Sequence, residues 1–210
     1  MNDPRLGTVE VRQANASRNE NEAIVAVLAR AFYPDPLFGF FARSPLQEYH
    51  LLARIFDAFA RDAAPFGETN VATAGERVVG AAVWIPPGGM PRSKKREAML
   101  NARAARLLAA GRNRRRGFSL LDAVDRVHPR DPHWYLLLLG TDPLLQGRGI
   151  GGRLLAPVLT RCDRDGVPAY LETQKESNLA FYERHGFVVG DVIEPAGAPK
   201  VWTMRREPRG

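Results

Sequence analysis

The stretch DPLLQGRGIGGRLL, residues 142–155, carries four glycines within six residues, between an apolar run and a helical pattern. Glycine inside a helix costs roughly 1 kcal/mol relative to alanine, so this placement requires a reason. A helix N-terminus presents amide N–H groups without partners and a partial positive charge. An anion satisfies both where it can reach the backbone, and side chains at Gly147, Gly149, Gly151 and Gly152 would stand in its way. The stretch therefore reads as a phosphate cradle, with Arg148 adding charge. It is not a Walker loop, because Arg153 and Leu154 stand where Lys and Ser or Thr are required. Residues 147–152 satisfy G-x-G-x-x-G formally, but no βαβ dinucleotide half surrounds them.

Outward from the cradle, strands and helices interleave, which predicts a mixed α/β sheet. Residues 133–139 form an apolar strand before it. A helix follows to about 165, with the stripe Ile150, Leu154, Leu155, Val158, Leu159 and Cys162 facing a core and Pro157 expected to kink it. Residues 169–173 read as a strand, 177–185 as a short helix, and 187–192 and 201–205 as strands. Upstream, 8–12 alternates as a strand and 19–32 is an amphipathic helix broken by Tyr33-Pro34-Asp35-Pro36. A second amphipathic helix spans 47–63, and 70–74 with 78–85 form a hairpin. Residues 92–127 are helical with an interruption near 111–117, a natural boundary between two halves.

The single cysteine, Cys162, excludes an internal disulfide and points to a reducing compartment. No apolar run reaches the ~18 residues of a membrane span and the N-terminus has no signal-peptide pattern, so a cytoplasmic protein is expected, with no membrane partner. The net charge of +7 favours anionic partners. The basic runs RSKKR (92–96) and RNRRR (112–116) read as solvated helix ends or as attractors for cofactor phosphates. They have no interleaved aromatics and no nucleic-acid-binding motif accompanies them, so no specific nucleic-acid partner is expected. No His/Cys cluster has zinc-ligand spacing, so no metal is expected. His133 and His185 read as structural, and His128 lies in a polar loop without an evident partner.

Gln146-Gly147-Arg148-Gly149-Ile150-Gly151 has the form Q-x-x-G-x-G, and residues 178–187, NLAFYERHGF, the form N-x-x-F-Y-x-x-x-G-F. With both motifs in this order, the chain resembles the GCN5-related N-acetyltransferase (GNAT) superfamily. From His133 to about Arg206 it is similar to puromycin N-acetyltransferase-like proteins. The resemblance implies one α/β (α+β) domain over 1–210, with a variable acceptor-side half to about 130 and a cofactor half from about 131. It implies a central mixed, mostly antiparallel sheet of six to seven strands flanked by helices, with a splayed pair of parallel strands holding acetyl-CoA. The implied cofactor contacts are Leu139, Gly140, Thr141, Gln146, Gly147, Arg148, Gly149, Ile150, Gly151, Gly152, Asn178, Phe181 and Tyr182. Leu139 to Thr141 would splay away at a bulge and pair with pantetheine amides, a Leu139 N–H would hold the thioester oxygen, and Asn178 would bind the pantetheine arm or cap its helix.

The implied reaction is direct attack of a primary amine on acetyl-CoA. Tyr182 would be the general acid, because a phenol with a pKa of about 10 keeps its proton at neutral pH. Glu172, expected near the sulfur, is the first candidate for the base, acting directly or through water. Its alternative is a structural ion pair. Asp35 either touches the acceptor or only builds its turn. The acceptor reads as a small-molecule amine, an aminonucleoside or another antibiotic. Acetylation of a protein or peptide, and a non-catalytic acetyl-CoA sensor, are the alternatives. A monomer and a homodimer are both compatible with the sequence.

Overall fold

The computed structural model describes residues 8–15, 17–33, 35–42, 44–90, 93–96, 98–100, 102 and 113–210. In chain order the elements are β1 (Val9–Gln13), α1 (Arg18–Phe32), α2 (Pro36–Phe41), α3 (Pro45–Ala63), β2 (Thr69–Ala74), β3 (Arg77–Ile85) and α4 (Arg114–Val127). They continue with β4 (Trp134–Thr141), α5 (Ile150–Asp165), β5 (Ala169–Thr173), α6 (Leu179–Arg184), β6 (Val188–Ile193) and β7 (Val201–Arg206). The strands form one sheet in the order β1-β2-β3-β4-β5-β7-β6, antiparallel except for β4–β5.

The near-continuous apolar run of β3, VVGAAVWI, is that of a strand covered on both faces. Ala81 and Val83 pack under α1 and α3, while Ala82 and Trp84 pack under α5. Alternation explains both sets, since successive side chains leave a strand on opposite faces. β6 carries Val188 and Val192 exposed and lies at the sheet's edge.

Serine caps start the two long N-terminal helices: Ser17 Oγ accepts from Glu20 N–H (3.2 Å) and Ser44 Oγ from Gln47 N–H (3.2 Å). The break at residues 33–36 is followed by a short helix absent from the sequence reading, α2. Asp35 caps it by accepting from Leu37 N–H (2.9 Å), with Pro36 in its first turn. Phe32, Phe38 and Phe56 tie α1, α2 and α3 together, with ring centroids 5.0–6.0 Å apart.

Three stretches that the sequence singled out take the following local form. α4 runs through Gly117, where an added Cβ would lie 2.0 Å from the Phe41 ring, so this glycine admits close packing and does not break the helix. Its start at Asn113 is left-handed (φ 54°); residues 103–112, including part of the RNRRR run, lie outside the described residues. α5 continues as one helix through Pro157: the carbonyl that loses its donor belongs to Arg153, on the exposed face where water reaches it. The helix expected over 177–185 is a 3-10 turn, Glu176–Asn178, followed by α6.

Strands β4 and β5 pair only at Trp134–Ala169 and Tyr135–Tyr170. Beyond that point β4 stays with β3, and the register slips by one residue between Leu136 and Leu138, making Leu137 a bulge. The splayed parallel pair implied by the sequence is therefore present, and residues 136–141 pair with no strand along their β5-facing edge. α1 presses against the end of β4 at Gly140, where an added Cβ would lie 2.9 Å from both Ala31 Cβ and Leu28 Cδ2. Among the described residues, no helix is long and apolar enough to cross a membrane. Gly140→Val is expected to destabilise the fold by about 1–3 kcal/mol, as overpacking does, read as a lower denaturant midpoint with an unchanged slope.

Candidate active site

A cavity of about 620 Å³ lies between the end of β4, the start of α5 and the turn leading into α6. Leu139, Gly140, Thr141, Gln146, Gly147, Gly149, Ile150, Gly151, Gly152, Asn178, Phe181 and Tyr182, all singled out by the sequence, line it. Ala31, Phe32, Asp35, Lys175 and Ser177 line it as well. Apart from Asp35, nothing in the sequence marked them, because chain segments far apart meet only in the fold. Arg148 is exposed and is not on the cavity wall.

The glycines divide into two pairs with different physical reasons. Gly147 and Gly149 both have φ of 75°, a left-handed conformation that L side chains rarely adopt, and an added Cβ at either would meet open space. Gly149 caps α5, and the first intrahelical donor is Arg153 N–H to its carbonyl (3.2 Å). The N–H groups of Ile150, Gly151 and Gly152 therefore have no partner in the helix and stand at its positive end. Gly151 and Gly152 serve packing instead: an added Cβ would lie 3.1 Å from the Phe181 ring and 2.6 Å from His185 Nε2. The expectation that all four glycines clear a path for an anion is corrected; the second pair lets α6 approach the first turn of α5.

Asp142 fixes where this loop begins. Its carboxylate, almost wholly buried, accepts from Arg30 Nη2 (3.1 Å), Arg77 Nη2 (2.8 Å) and Leu144 N–H (3.2 Å), while its own N–H donates to Val79 O (2.8 Å). The Gln146 side chain closes the loop by donating to Thr141 O (3.3 Å). A row of unpaired strand groups next to partnerless amides at a helix start suits an extended ligand carrying amides at one end and phosphates at the other. The residues present thus fit acetyl-CoA.

Across the cavity, Tyr182 is 8% exposed, packed at its ring edges on Phe181 and Phe187 (centroids 5.1 and 5.9 Å). Its hydroxyl has no hydrogen-bond partner among the described residues. Burial, and then the charge of Asp35, push its pKa well above that of a free phenol, so it keeps its proton. Asn178 does not cap α6 with its side chain; Nδ2 donates to Thr173 Oγ1 (3.1 Å), leaving Oδ1 for another partner. Phe181 is both cavity wall and part of the core. Cys162 is fully buried, which raises its thiol pKa to about 12 and leaves it no part in nucleophilic chemistry.

Glu172 is not among the residues lining the cavity. Leu171 and Thr173 face α5 and α6, and alternation turns Glu172 to the opposite face of β5. There its Oε1 lies 3.1 Å from His128 Nδ1, His128 Nε2 lies 3.2 Å from His133 Nε2, and His133 Nδ1 donates to Asp131 O (2.7 Å). Three contacts need three protons, and two neutral imidazoles supply two. Burial holds His133 below its ordinary pKa, so with Nδ1–H on Asp131 O its Nε2 is left to accept from His128 Nε2. His128, without an evident partner in the sequence, is the centre of this network. Tyr170 closes it from above: its phenol, buried first and near Glu172 second, is pushed far up.

The chain belongs to the acetyltransferase (GNAT) family, whose family model matches residues 31–187. Members of this family transfer acetyl groups from acetyl-CoA. An uncharacterized N-acetyltransferase of Schizosaccharomyces pombe is 39% identical over 66 residues, 31% of this chain and 27% of the yeast protein's length. Among solved structures, a Corynebacterium glutamicum protein described as histone acetyltransferase HPA2 and related acetyltransferase superposes with a TM-score of 0.70 at 25% identity, covering 97% of this chain and 98% of that one. Polyamine N-acetyltransferase of Drosophila melanogaster superposes with a TM-score of 0.64 at 21% identity, covering 95% and 100%.

Gly149→Val is expected to weaken acetyl-CoA binding by about 5- to 30-fold by calorimetry, since forcing a side chain into the left-handed region costs about 1–2 kcal/mol and distorts the amides behind it. For the buried network, Glu172→Ala and His128→Ala are expected to couple by about 1–3 kcal/mol in a double-mutant cycle of unfolding free energies.

Proposed function

We propose that this protein is an acetyl-CoA-dependent N-acetyltransferase that acetylates a primary amine of a small molecule by direct attack, with Tyr182 as general acid. The observation that carries the reading is a proton-bearing Tyr182, without a hydrogen-bond partner for its phenol among the described residues, lining the cavity at the end of β4. Bound acetyl-CoA supplies the activated acetyl thioester. The N–H groups of Ile150, Gly151 and Gly152 hold the pyrophosphate, with Gln146 and Gly147 shaping the loop and Arg148 adding charge from its exposed side. The free edge at Leu139 and the Thr141 N–H pairs with the pantetheine arm, with Gly140 lining the cavity between them, and a Leu139 N–H polarises the thioester carbonyl. Asn178 Oδ1 accepts from a pantetheine amide. Tyr182 donates its proton to the sulfur as it leaves.

An aminonucleoside or another antibiotic as acceptor rests on the sequence resemblance of residues 133–206 to puromycin N-acetyltransferase-like proteins alone. The relationship of fold to an enzyme named for polyamines is in keeping with a small amine. Tyr182→Phe is expected to lower kcat by about 10²-fold, within the range of a lost general acid, with acetyl-CoA affinity within threefold of the parent. Free thiol release against puromycin, polyamines, aminoglycosides and short peptides reads the first, and calorimetry the second. Full turnover in the variant would remove Tyr182 from the mechanism.

A further inference from the structure

Among the described residues that line the cavity, Asp35 is the one carboxylate. It is 5% exposed, and its burial is not accidental. Its N–H donates to Phe32 O (2.9 Å), its carbonyl accepts from Phe38 N–H (3.3 Å), and the Phe32–Phe38–Phe56 cluster clamps the turn on both sides. Oδ1 accepts from Leu37 N–H (2.9 Å), while Oδ2 carries no hydrogen bond among the described residues. One oxygen thus orients the group and the other remains available at the wall that Tyr182 also forms.

The charged groups around it are few. Lys175, after β5, lines the same cavity and favours the ionised form. Glu48, from α3, lies near enough that Asp35 raises its pKa, though burial raises it more. Tyr182 feels the same Asp35 charge. Burial lifts the Asp35 carboxyl above its ordinary range, and the Leu37 N–H and Lys175 pull it back. A carboxylate confined in this way gains from an incoming cation, because burying an unpaired charge is costly. Glu172 differs by position: it is not among the residues lining the cavity, and its Oε1 lies against His128 on the opposite face of β5.

We propose that Asp35 is the carboxylate that pairs with the acceptor's ammonium group and takes its proton, which makes the acceptor a small amine that is cationic at neutral pH. This rests on the reading of the cavity as the acetyl-transfer site. Asp35 Oδ2 removes one proton from the ammonium and later releases it to solvent. The freed lone pair forms the bond from nitrogen to the acetyl carbon. The carbon–sulfur bond breaks with its electrons on sulfur, which takes the Tyr182 proton. The second nitrogen proton, acidic once nitrogen is joined to the acetyl carbon, restores Tyr182. One proton is released per acetyl group transferred.

The test is Asp35→Asn, whose side-chain oxygen keeps the cap on Leu37 N–H, with Asp35→Glu beside it. Both are assayed with acetyl-CoA and whichever amine of the panel named above turns over fastest. The expected result for Asp35→Asn is a 10²- to 10³-fold loss of kcat/KM at pH 7, with acetyl-CoA affinity and thermal midpoint near the parent's. The deficit is expected to shrink as pH rises toward the pKa of the amine, where the substrate arrives already neutral. Asp35→Glu is expected to recover part of the rate. An Asp35→Asn enzyme within threefold of the parent at pH 7 would overturn the proposal, as would a deficit that does not change with pH in both variants. If the parent binds acetyl-CoA but transfers acetyl to none of the panel, the functional reading itself fails, and this assignment with it.

Discussion

Strands β4 and β5 run parallel for two residue pairs and then separate, each following a different neighbour. β4 stays bonded to β3 out to Thr141 through six register pairs, and β5 stays bonded to β7 out to Thr173 through five. The sheet is thus continuous on both sides of the gap, and the parting leaves unpaired only the two edges that face each other. Backbone N–H and C=O groups buried without partners are costly, so an edge of this kind belongs where a ligand or water can complete it. The Leu137 bulge and the pressure of α1 on Gly140 set the direction in which β4 leaves. The Asp142 ion pairs then fix the start of the loop that turns into α5. The cradle and the cavity both follow from that single divergence.

The polar groups near the gap are sorted by what already holds them. Glu172 is spent on a buried carboxylate–imidazole–imidazole chain that packs against Tyr170 on the far face of β5. Removing one partner of such a buried pair strands the other, which holds Glu172 on the face of β5 opposite the cavity lining. Asp35 is held by one oxygen only, and Tyr182 by its ring alone. Proton-transfer groups need this combination: a fixed body and a free polar tip facing the reactants. Cys162 has neither the exposure nor the thiolate for a covalent route.

Much of this was legible in the sequence where the signal was local. The apolar runs of β3 and β4, the stripe of α5 and the two glycine-bearing motifs gave the elements and their order, and the family resemblance those motifs carry named twelve residues that meet at the cavity. What escaped was set by tertiary contact. The missing side chains of Gly151 and Gly152 look like clearance for an anion until α6 is seen lying against them, while their amides still stand at the cradle. Glu172 looks like a cavity residue until strand alternation is counted from Thr173. The carboxylate partner of His128 is not evident in the chain order, because Glu172 lies 44 residues away. α2 is too short for periodicity to announce, and Asp35, on the N-terminal side of the molecule, reaches the cavity only because three phenylalanines fold its turn inward.

The central claim is that the divergence of β4 and β5 creates the acetyl-CoA site. Amide hydrogen exchange of the intact protein with and without acetyl-CoA tests it most directly. The account predicts slower exchange at the β5-facing amides of residues 136–141 and at Ile150, Gly151 and Gly152, with β6 and β1 unchanged. Exchange that stays the same at both of those segments, under conditions where calorimetry shows the ligand bound, would contradict it.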